Sequence, residues 1–282
     1  MKELFDQISF EVSKLATKRY STSFSLGIRF IEPKIRNAIY SIYGFVRFAD
    51  EIVDTFHDYD KEMLFARFKE DAYTAIDEEI SLNPILNSFQ DTVRKFHIDK
   101  ELIATFLKSM EMDLHKNNYD YEGYNEYIVG SAEVVGLMCL KVYCNGDEES
   151  YKSLKYYAER LGSAYQKINF LRDLSADYNK LGRVYFPGVD IKEFNECVKQ
   201  KILLDIEKDF LEGYKGILKL PKNSRFGVYL SYIYFYSLFQ KIRFMPPELI
   251  LQKRIRIPDS YKFYLFFNSY VKNKLHLIQW QN

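Results

Sequence analysis

Four aspartates in two pairs are the residues of this chain best suited to chemistry. Asp50 and Asp54 stand at i, i+4, as do Asp173 and Asp177. Tyr43, Arg47, Asp50 and Asp54 fall at offsets 0, +4, +7 and +11, and Gln166, Asn169, Asp173 and Asp177 at 0, +3, +7 and +11. At 3.6 residues per turn each set returns to one stripe of a helix. The first stripe is flanked by Ile39, Ile42, Phe45, Val46, Ile52 and Val53, the second by Ile168, Phe170, Leu171 and Leu174. Helices so apolar belong mostly inside a protein, where unpaired charge is costly.

Like charges at i, i+4 destabilise a helix by about 0.2–0.5 kcal/mol, and by more once desolvated. A cation between them removes that penalty. Mg²⁺ takes hard oxygen ligands, keeps several waters and bridges carboxylates to substrate phosphates. Facing aspartate pairs would thus clamp a diphosphate through metal ions and help it leave as an anion. Arg47 and Arg172, beside the two motifs, could take its oxygens bidentately. One such pair alone is usually a solvated helix face. Two, each in an apolar helix with an adjoining Arg, favour a site.

The elements that must position these residues are helical. Of 282 residues 47% are apolar, enough for a sizeable core, and only 12 are Gly and 7 Pro. The spacing predicts an amphipathic helix over 2–19 (Leu4, Ile8, Val12, Leu15), a short serine-bearing connection over 20–30, and a helix from Pro33 to about Phe56. Further helices are predicted near 58–80, 84–96, 99–118 and 121–144, then a central one over 148–179. Gly182 and Pro187 mark the loop after it, and helices near 190–217, 224–243 and 259–278 follow. One all-α domain spanning 1–282 is the simplest reading.

Composition excludes other classes. A net charge of +1 argues against a nucleic-acid partner. The three cysteines, Cys139, Cys144 and Cys197, lack CxxC spacing and fit a reduced, cytoplasmic compartment. The N-terminal residues show no secretory h-region, and no charge-free apolar run reaches the ~18 residues of a membrane span. The four histidines (57, 97, 115 and 276) have no ligand spacing and read as structural. From Lys219 onward 11 Lys and Arg face two acids, Glu248 and Asp259. That bias reads either as a solvated face or as peripheral contact with an anionic inner-membrane surface. The 24 Tyr and 23 Phe read equally as core filler or as the lining of a cavity.

At these motifs the sequence resembles the squalene/phytoene synthase family of head-to-head prenyl transferases, along nearly its whole length. YSTSF at 20–24 is similar to the family's H-S-x-S-F, with Tyr20 for His. AIYSIYGFVRFADEIVD at 38–54 resembles its first aspartate motif, with Glu51 where a second Asp is common. YIVGSAEVVGLM at 127–138 resembles Y-x-x-A-G-T-V-G-L-M, with Glu133 and Val134 standing for Gly and Thr. LGSAYQKINFLRDLSADYNKLGRVYFP at 161–187 is close to L-G-x-A-x-Q-x-x-N-x-L-R-D-x-x-x-D-x-x-x-G-R-x-Y-x-P. KIRFMPPELILQKRIRI near the end is similar to bacterial phytoene synthases in particular.

The resemblance implies an isoprenoid-synthase helical bundle with a central cavity. It implies a transferase of carotenoid biosynthesis that joins two geranylgeranyl diphosphates, through a cyclopropyl-carbinyl diphosphate, into phytoene. The expected cofactor is Mg²⁺, with Mn²⁺ a substitute, and no NADPH. The alternative is squalene or dehydrosqualene from farnesyl diphosphate; a non-catalytic assembly role would not explain four retained aspartates. Carried over by residue, Asp50, Asp54, Asp173 and Asp177 are the metal ligands. Arg47, Arg172 and Arg183 face diphosphate, and Ser21 and Ser23 bind it. Tyr43, Tyr127, Gln166, Asn169 and Tyr185 line the reaction centre, with Phe24, Val135, Gly136 and Leu137 along the prenyl chains. Competing readings stand beside several of these: helix capping for Ser21 and Ser23, ordinary core for Tyr127, a surface loop for Arg183. Glu133 would reshape the cavity or stay outside it.

Overall fold

The structure, a computed structural model, describes residues 1–115, 119–275 and 277–278, with the backbone alone at 180 and 181. His276 and the last turn of the helix expected over 99–118 lie outside the described residues. Thirteen α-helices are found there in the order α1 (Lys2–Tyr20), α2 (Thr22–Ile28), α3 (Pro33–Thr55), α4 (Lys61–Glu78), α5 (Pro84–Lys95), α6 (Lys100–His115), α7 (Tyr121–Ile128), α8 (Val134–Cys144), α9 (Glu148–Leu181), α10 (Glu196–Lys219), α11 (Arg225–Arg243), α12 (Pro247–Ile250) and α13 (Asp259–Lys274). No β-strand is among the described residues. Buried side chains from Ile28 to Ile278 join into one apolar core.

Local chemistry sets the boundaries. Pro33 and Pro84 occupy the first turns of α3 and α5, where a missing N–H does no harm. Asp147 accepts from the backbone N–H groups of Glu149 and Ser150 and starts the 34-residue helix α9. Gly182, at φ 64, ends it in the left-handed conformation that glycine adopts without strain.

Three expectations change. The connection over 20–30 contains a two-turn helix, α2, because Ser21 accepts from the Phe24 amide and caps it. The run 121–144 is not uniformly α-helical: residues Val129–Glu133 form a π-turn between α7 and α8. That run is apolar and long enough to cross a membrane, yet 67% of its apolar window is buried against the other helices. Finally, α1 does not bury Leu4, Ile8 and Leu15, which stay exposed. It buries Ser9, Ser13 and Thr17 instead, against α3 and α5. Their hydroxyls are already paired, Ser9 to the Phe5 carbonyl at 2.8 Å and Thr17 to the Ser13 carbonyl at 2.8 Å. A small, satisfied face allows close approach: a Cβ on Gly44 would sit 3.0 Å from Ser13 Oγ.

The two aspartate helices are held apart. The helix α8 packs on both α3 and α9, while α3 and α9 make almost no direct contact. An apolar cavity of about 290 Å³ fills the space between them.

Candidate active site

Both aspartate pairs lie in the C-terminal parts of their helices, Asp50 and Asp54 on α3 and Asp173 and Asp177 on α9. A helix C-terminus carries partial negative charge, so carboxylates there add to an already cation-attracting end. The cavity begins one turn away from each pair, at Val46 on α3 and Asn169 on α9, with Tyr43 and Gln166 a turn further in. It then follows α9 backwards through Gly162 and Ala158 to Leu154. At 1.5 Å per residue the axis from Asp173 to Leu154 spans about 28 Å. Among the described residues no carboxylate lines it.

The polar end is a lattice of arginines and acids. Arg47 contacts Asp50 at 2.5 Å and also pairs with Glu51, and its guanidinium lies 4.3 Å from the Tyr20 ring. Arg172 reaches back to its neighbour Asp173, with Nε at 3.0 Å. Asp173 is also met by Arg254, at 2.8 Å, from the segment after α12, which is tied down where the Ile255 amide donates to the Arg172 carbonyl. Arg183 is buried, not a surface loop residue. It bonds Asp54 at 3.0 Å and the Asp113 carbonyl at 2.6 Å, and so ties the segment after α9 to α3 and α6.

Asp113 on α6 was missed in the sequence. Its carboxylate accepts from Tyr127 at 2.6 Å and Tyr119 at 3.0 Å and lies 3.5 Å from Arg183. Burial, with Asp54 nearby, raises it to about 6 despite the opposing pull of Arg183. Asp50 is pushed up to about 7 by burial and then by Asp54. Asp177 rises to about 7 through burial and the charges of Asp173 and Asp54. The charge of Asp54, on α3, acts on Asp177, on α9, so the two pairs share one electrostatic space.

Among the described residues, no three acids, histidines or cysteines stand close enough to hold an ion between them. The donor set nevertheless fits a divalent cation: four carboxylates, all hard oxygen donors, of which Asp50 and Asp177 are held up by burial and by like charge. An anion fits beside them. The Nε groups of Arg47 and Arg183 are buried without a partner.

In the cavity, Phe24, Tyr165 and Phe235 form an aromatic wall. Tyr165 stacks on Phe235 with centroids 4.1 Å apart, and Phe24 lies 5.7 Å from Phe235. Of these, Tyr165 and Phe235 were not singled out in the sequence, where they read as part of a general aromatic excess. Three polar atoms that line the cavity lack partners: Ser131 Oγ, Tyr165 Oη and Asn169 Oδ1.

The remaining expected residues divide. Tyr43, Gln166, Asn169, Phe24, Val135 and Gly136 line the cavity. Leu137 does not; it points into the protein core beside Met138. Tyr127 and Tyr185 are also off the cavity wall. Tyr127 serves Asp113, and Tyr185 stacks on Phe170 at 4.0 Å with its hydroxyl 3.4 Å from Arg183. Ser21 caps α2 and its hydroxyl also interacts with Tyr43. Ser23 lines a different cleft, next to Lys18 and Lys262. Glu133 stays outside the cavity, paired with Arg160 and Ser163.

Comparison with known proteins gives a consistent result. Residues 17–260 match the squalene/phytoene synthase family. A 4,4'-diapophytoene synthase of Staphylococcus haemolyticus is 25% identical over 73% of this chain and 72% of its own. A phytoene synthase of Arthrospira platensis is 30% identical over 66% of this chain and 63% of its own. Among solved structures, a dehydrosqualene synthase in complex with ligand superposes with a TM-score of 0.80 over 95% of this chain and 98% of its own. At 18% identity that likeness is one of fold.

Proposed function

We propose, from the premise that this chain belongs to the squalene/phytoene synthase family, that it condenses two geranylgeranyl diphosphates head to head into phytoene. The family consists of prenyltransferases that join isoprenoid diphosphates. The observation that carries the reading is the placement of both aspartate pairs at one end of a carboxylate-free apolar cavity. The cavity follows α9 from Asn169 to Leu154, about 22 Å along the axis, a length that favours the longer of the two candidate chains.

Asp50, Asp54, Asp173 and Asp177 would hold divalent metal, Mg²⁺ in the first instance. Bound there, the metal would neutralise the diphosphate and make it a better leaving group. Arg47, Arg172 and Arg183 would grip the phosphate oxygens, exchanging their present carboxylate partners for substrate. Asn169 sits one turn deeper and Gln166 and Tyr43 two turns deeper, where the reacting carbons would lie. The wall of Phe24, Tyr165 and Phe235 presents π faces to a developing carbocation, and the mostly apolar lining disfavours water beside it. Joining the two chains through the cyclopropyl intermediate releases two diphosphates and two protons, and needs no reductant.

The second reading, a C30 product from farnesyl diphosphate, is favoured by the relative named 4,4'-diapophytoene synthase. Purified protein with Mg²⁺ and either diphosphate, without NADPH, separates the readings by product mass. A C40 hydrocarbon supports the first. A C30 product alone replaces it with the second, and no product from either rejects both.

A further inference from the structure

Behind the cavity, the central helix carries a buried chain of charges. Arg160, Ser163 and Lys167 stand at offsets 0, +3 and +7 on α9. The cavity residues Ala158, Gly162, Tyr165 and Asn169 lie half a turn away, on the opposite side of the same helix. The carboxylate of Glu133, in the π-turn, accepts from Arg160 and from the Ser163 hydroxyl. Arg160 goes on to Asp209 of α10 at 3.2 Å, Asp209 to Lys167 at 2.7 Å, and Lys167 to Asp205 at 2.5 Å. The side chains of Glu133, Lys167 and Asp209 are each at most 10% exposed, so water screens them little. Burial opposes the charge on Lys167, but Asp209 and Asp205 outweigh it and raise its pKa.

Such a chain is not needed merely to hold helices together. Exchanging a buried ion pair for apolar side chains of similar volume is often neutral or stabilising, and its better-attested use is to select one arrangement of elements. The α9–α10 contact is one that needs selecting. It includes close approaches over glycine: a Cβ on Gly213 would come within 2.9 Å of Leu161 Cδ1, and one on Gly216 would collide with Tyr157 Cβ. Glycine allows the approach but offers no ridge to key into a groove, so it holds a helix weakly against turning about its own axis. The charges supply that key. Side-chain ends lie roughly 5–6 Å from a helix axis, so a turn of about 20° moves them by about 2 Å. Turning α9 would swing Gln166 and Asn169 along the cavity wall, and a displacement of about 1 Å at reacting groups can cost a hundredfold in rate.

We infer that Glu133 is a positioning residue: through Arg160, Asp209 and Lys167 it fixes the rotation of α9 against the π-turn and α10, and so places Gln166 and Asn169 on the cavity wall. The π-turn serves this arrangement, since it turns Ser131 and Ala132 to the cavity and Glu133 to the back of α9. The guanidinium of Arg160 holds Glu133 with one Nη and Asp209 with the other, so three elements meet at one planar group. The bearing on turnover rests on the proposed function; the fixing of α9 does not.

Hydrogen exchange tests the fixing without substrate. In Glu133→Gln, and in Lys167→Met with Asp209→Leu, amides over residues 157–170 should exchange about tenfold faster or more than in wild type, while those of α1 and α5 stay unchanged. The thermal midpoint should hold within about 3 °C. With Mg²⁺ and geranylgeranyl diphosphate, both variants should lose about tenfold or more in kcat, with KM moving by less than about twofold. Glu133→Asp, which keeps the charge, should lie closer to wild type than Glu133→Gln in both measurements. If the double variant does not fold, the two Glu133 variants decide. Unchanged exchange over 157–170 overturns the fixing of α9. Faster exchange with unchanged kcat, or Glu133→Asp no better than Glu133→Gln, overturns the positioning role and leaves a structural contact only. If wild type turns over neither geranylgeranyl nor farnesyl diphosphate, the proposed function fails, and the exchange result still decides whether Glu133 fixes α9.

Discussion

Asp113 shows how much of the candidate site can be read one residue at a time. The four aspartates announce themselves by pairing, but Asp113 stands in SMEMDLH with no motif around it. Its signal was its position, since it extends the buried stripe of Ile103, Phe106 and Met110 on α6. An acid on an apolar stripe calls for a partner, and here there are three: Tyr119, Tyr127 and Arg183. Tyr127 and Tyr185 look like reaction-centre residues in the sequence because they sit in the motifs, yet their hydroxyls serve this buried cluster. Two substitutions separate the roles. Asp173→Asn keeps the shape but removes a charge needed to hold metal; turnover should fall at least a hundredfold with the helical circular dichroism unchanged. Retained turnover would show that Asp173 is not a ligand. Asp113→Asn should instead lower stability, by about 1–3 kcal/mol, because an amide offers one acceptor oxygen where Tyr119 and Tyr127 donate to two. A thermal melt that does not move would contradict that assignment.

At the scale of elements, most of the helices could be read from periodicity and caps, and the departures have physical causes. Periodicity picks out the face with leucines, so it chose the wrong face of α1; packing chose the small serine face because it lets α1 approach Gly44. Periodicity also assumes 3.6 residues per turn, and the π-turn at Val129–Glu133 breaks that phase. Ser131 and Ala132 inside the turn and Val135 and Gly136 after it line the cavity, while Glu133 is rotated away to Arg160 and Ser163. The departure from the family's Gly is therefore accommodated outside the cavity. This crossing depends on Gly162 of α9. A Cβ there would come within 2.7 Å of the Ala132 carbonyl oxygen and 3.1 Å of Glu133 Cα, backbone atoms that cannot rotate aside. Gly162→Ala should force α9 off the π-turn and destabilise the chain by about 1–3 kcal/mol. Denaturant unfolding measures this, and a midpoint equal to wild type would mean that the two elements are not tightly coupled.

Across the whole molecule, the site is assembled against the stability of the fold that carries it. Asp50 and Asp177 are raised to about 7 and Asp113 to about 6, mainly by burial. An ordinary aspartate releases its proton near pH 4. Between about pH 4 and pH 7 the folded chain thus holds protons that the unfolded chain has already lost. Stability rises with pH only where the unfolded state binds more protons, and here the folded state binds more. These three carboxyls therefore contribute stability that is full below about pH 4 and fades as pH climbs through 6 and 7, the reverse of a salt-bridged aspartate. No sequence pattern gives that sign, because it depends on how three helices bring Asp54 near both Asp113 and Asp177. The expected outcome for metal-free protein is a thermal midpoint that declines from about pH 5.5 to about pH 8. Replacing Asp50 and Asp177 by Asn should flatten the decline. Mg²⁺ with inorganic diphosphate should raise the wild-type midpoint more at about pH 8 than at about pH 5.5, since ligands must be deprotonated to bind. A midpoint in the metal-free protein that climbs steadily over the same interval would mean that the carboxylates are already balanced by Arg47, Arg172, Arg183 and Arg254. The aspartate end would then be a structural ion-pair lattice and not a site held open for a cation.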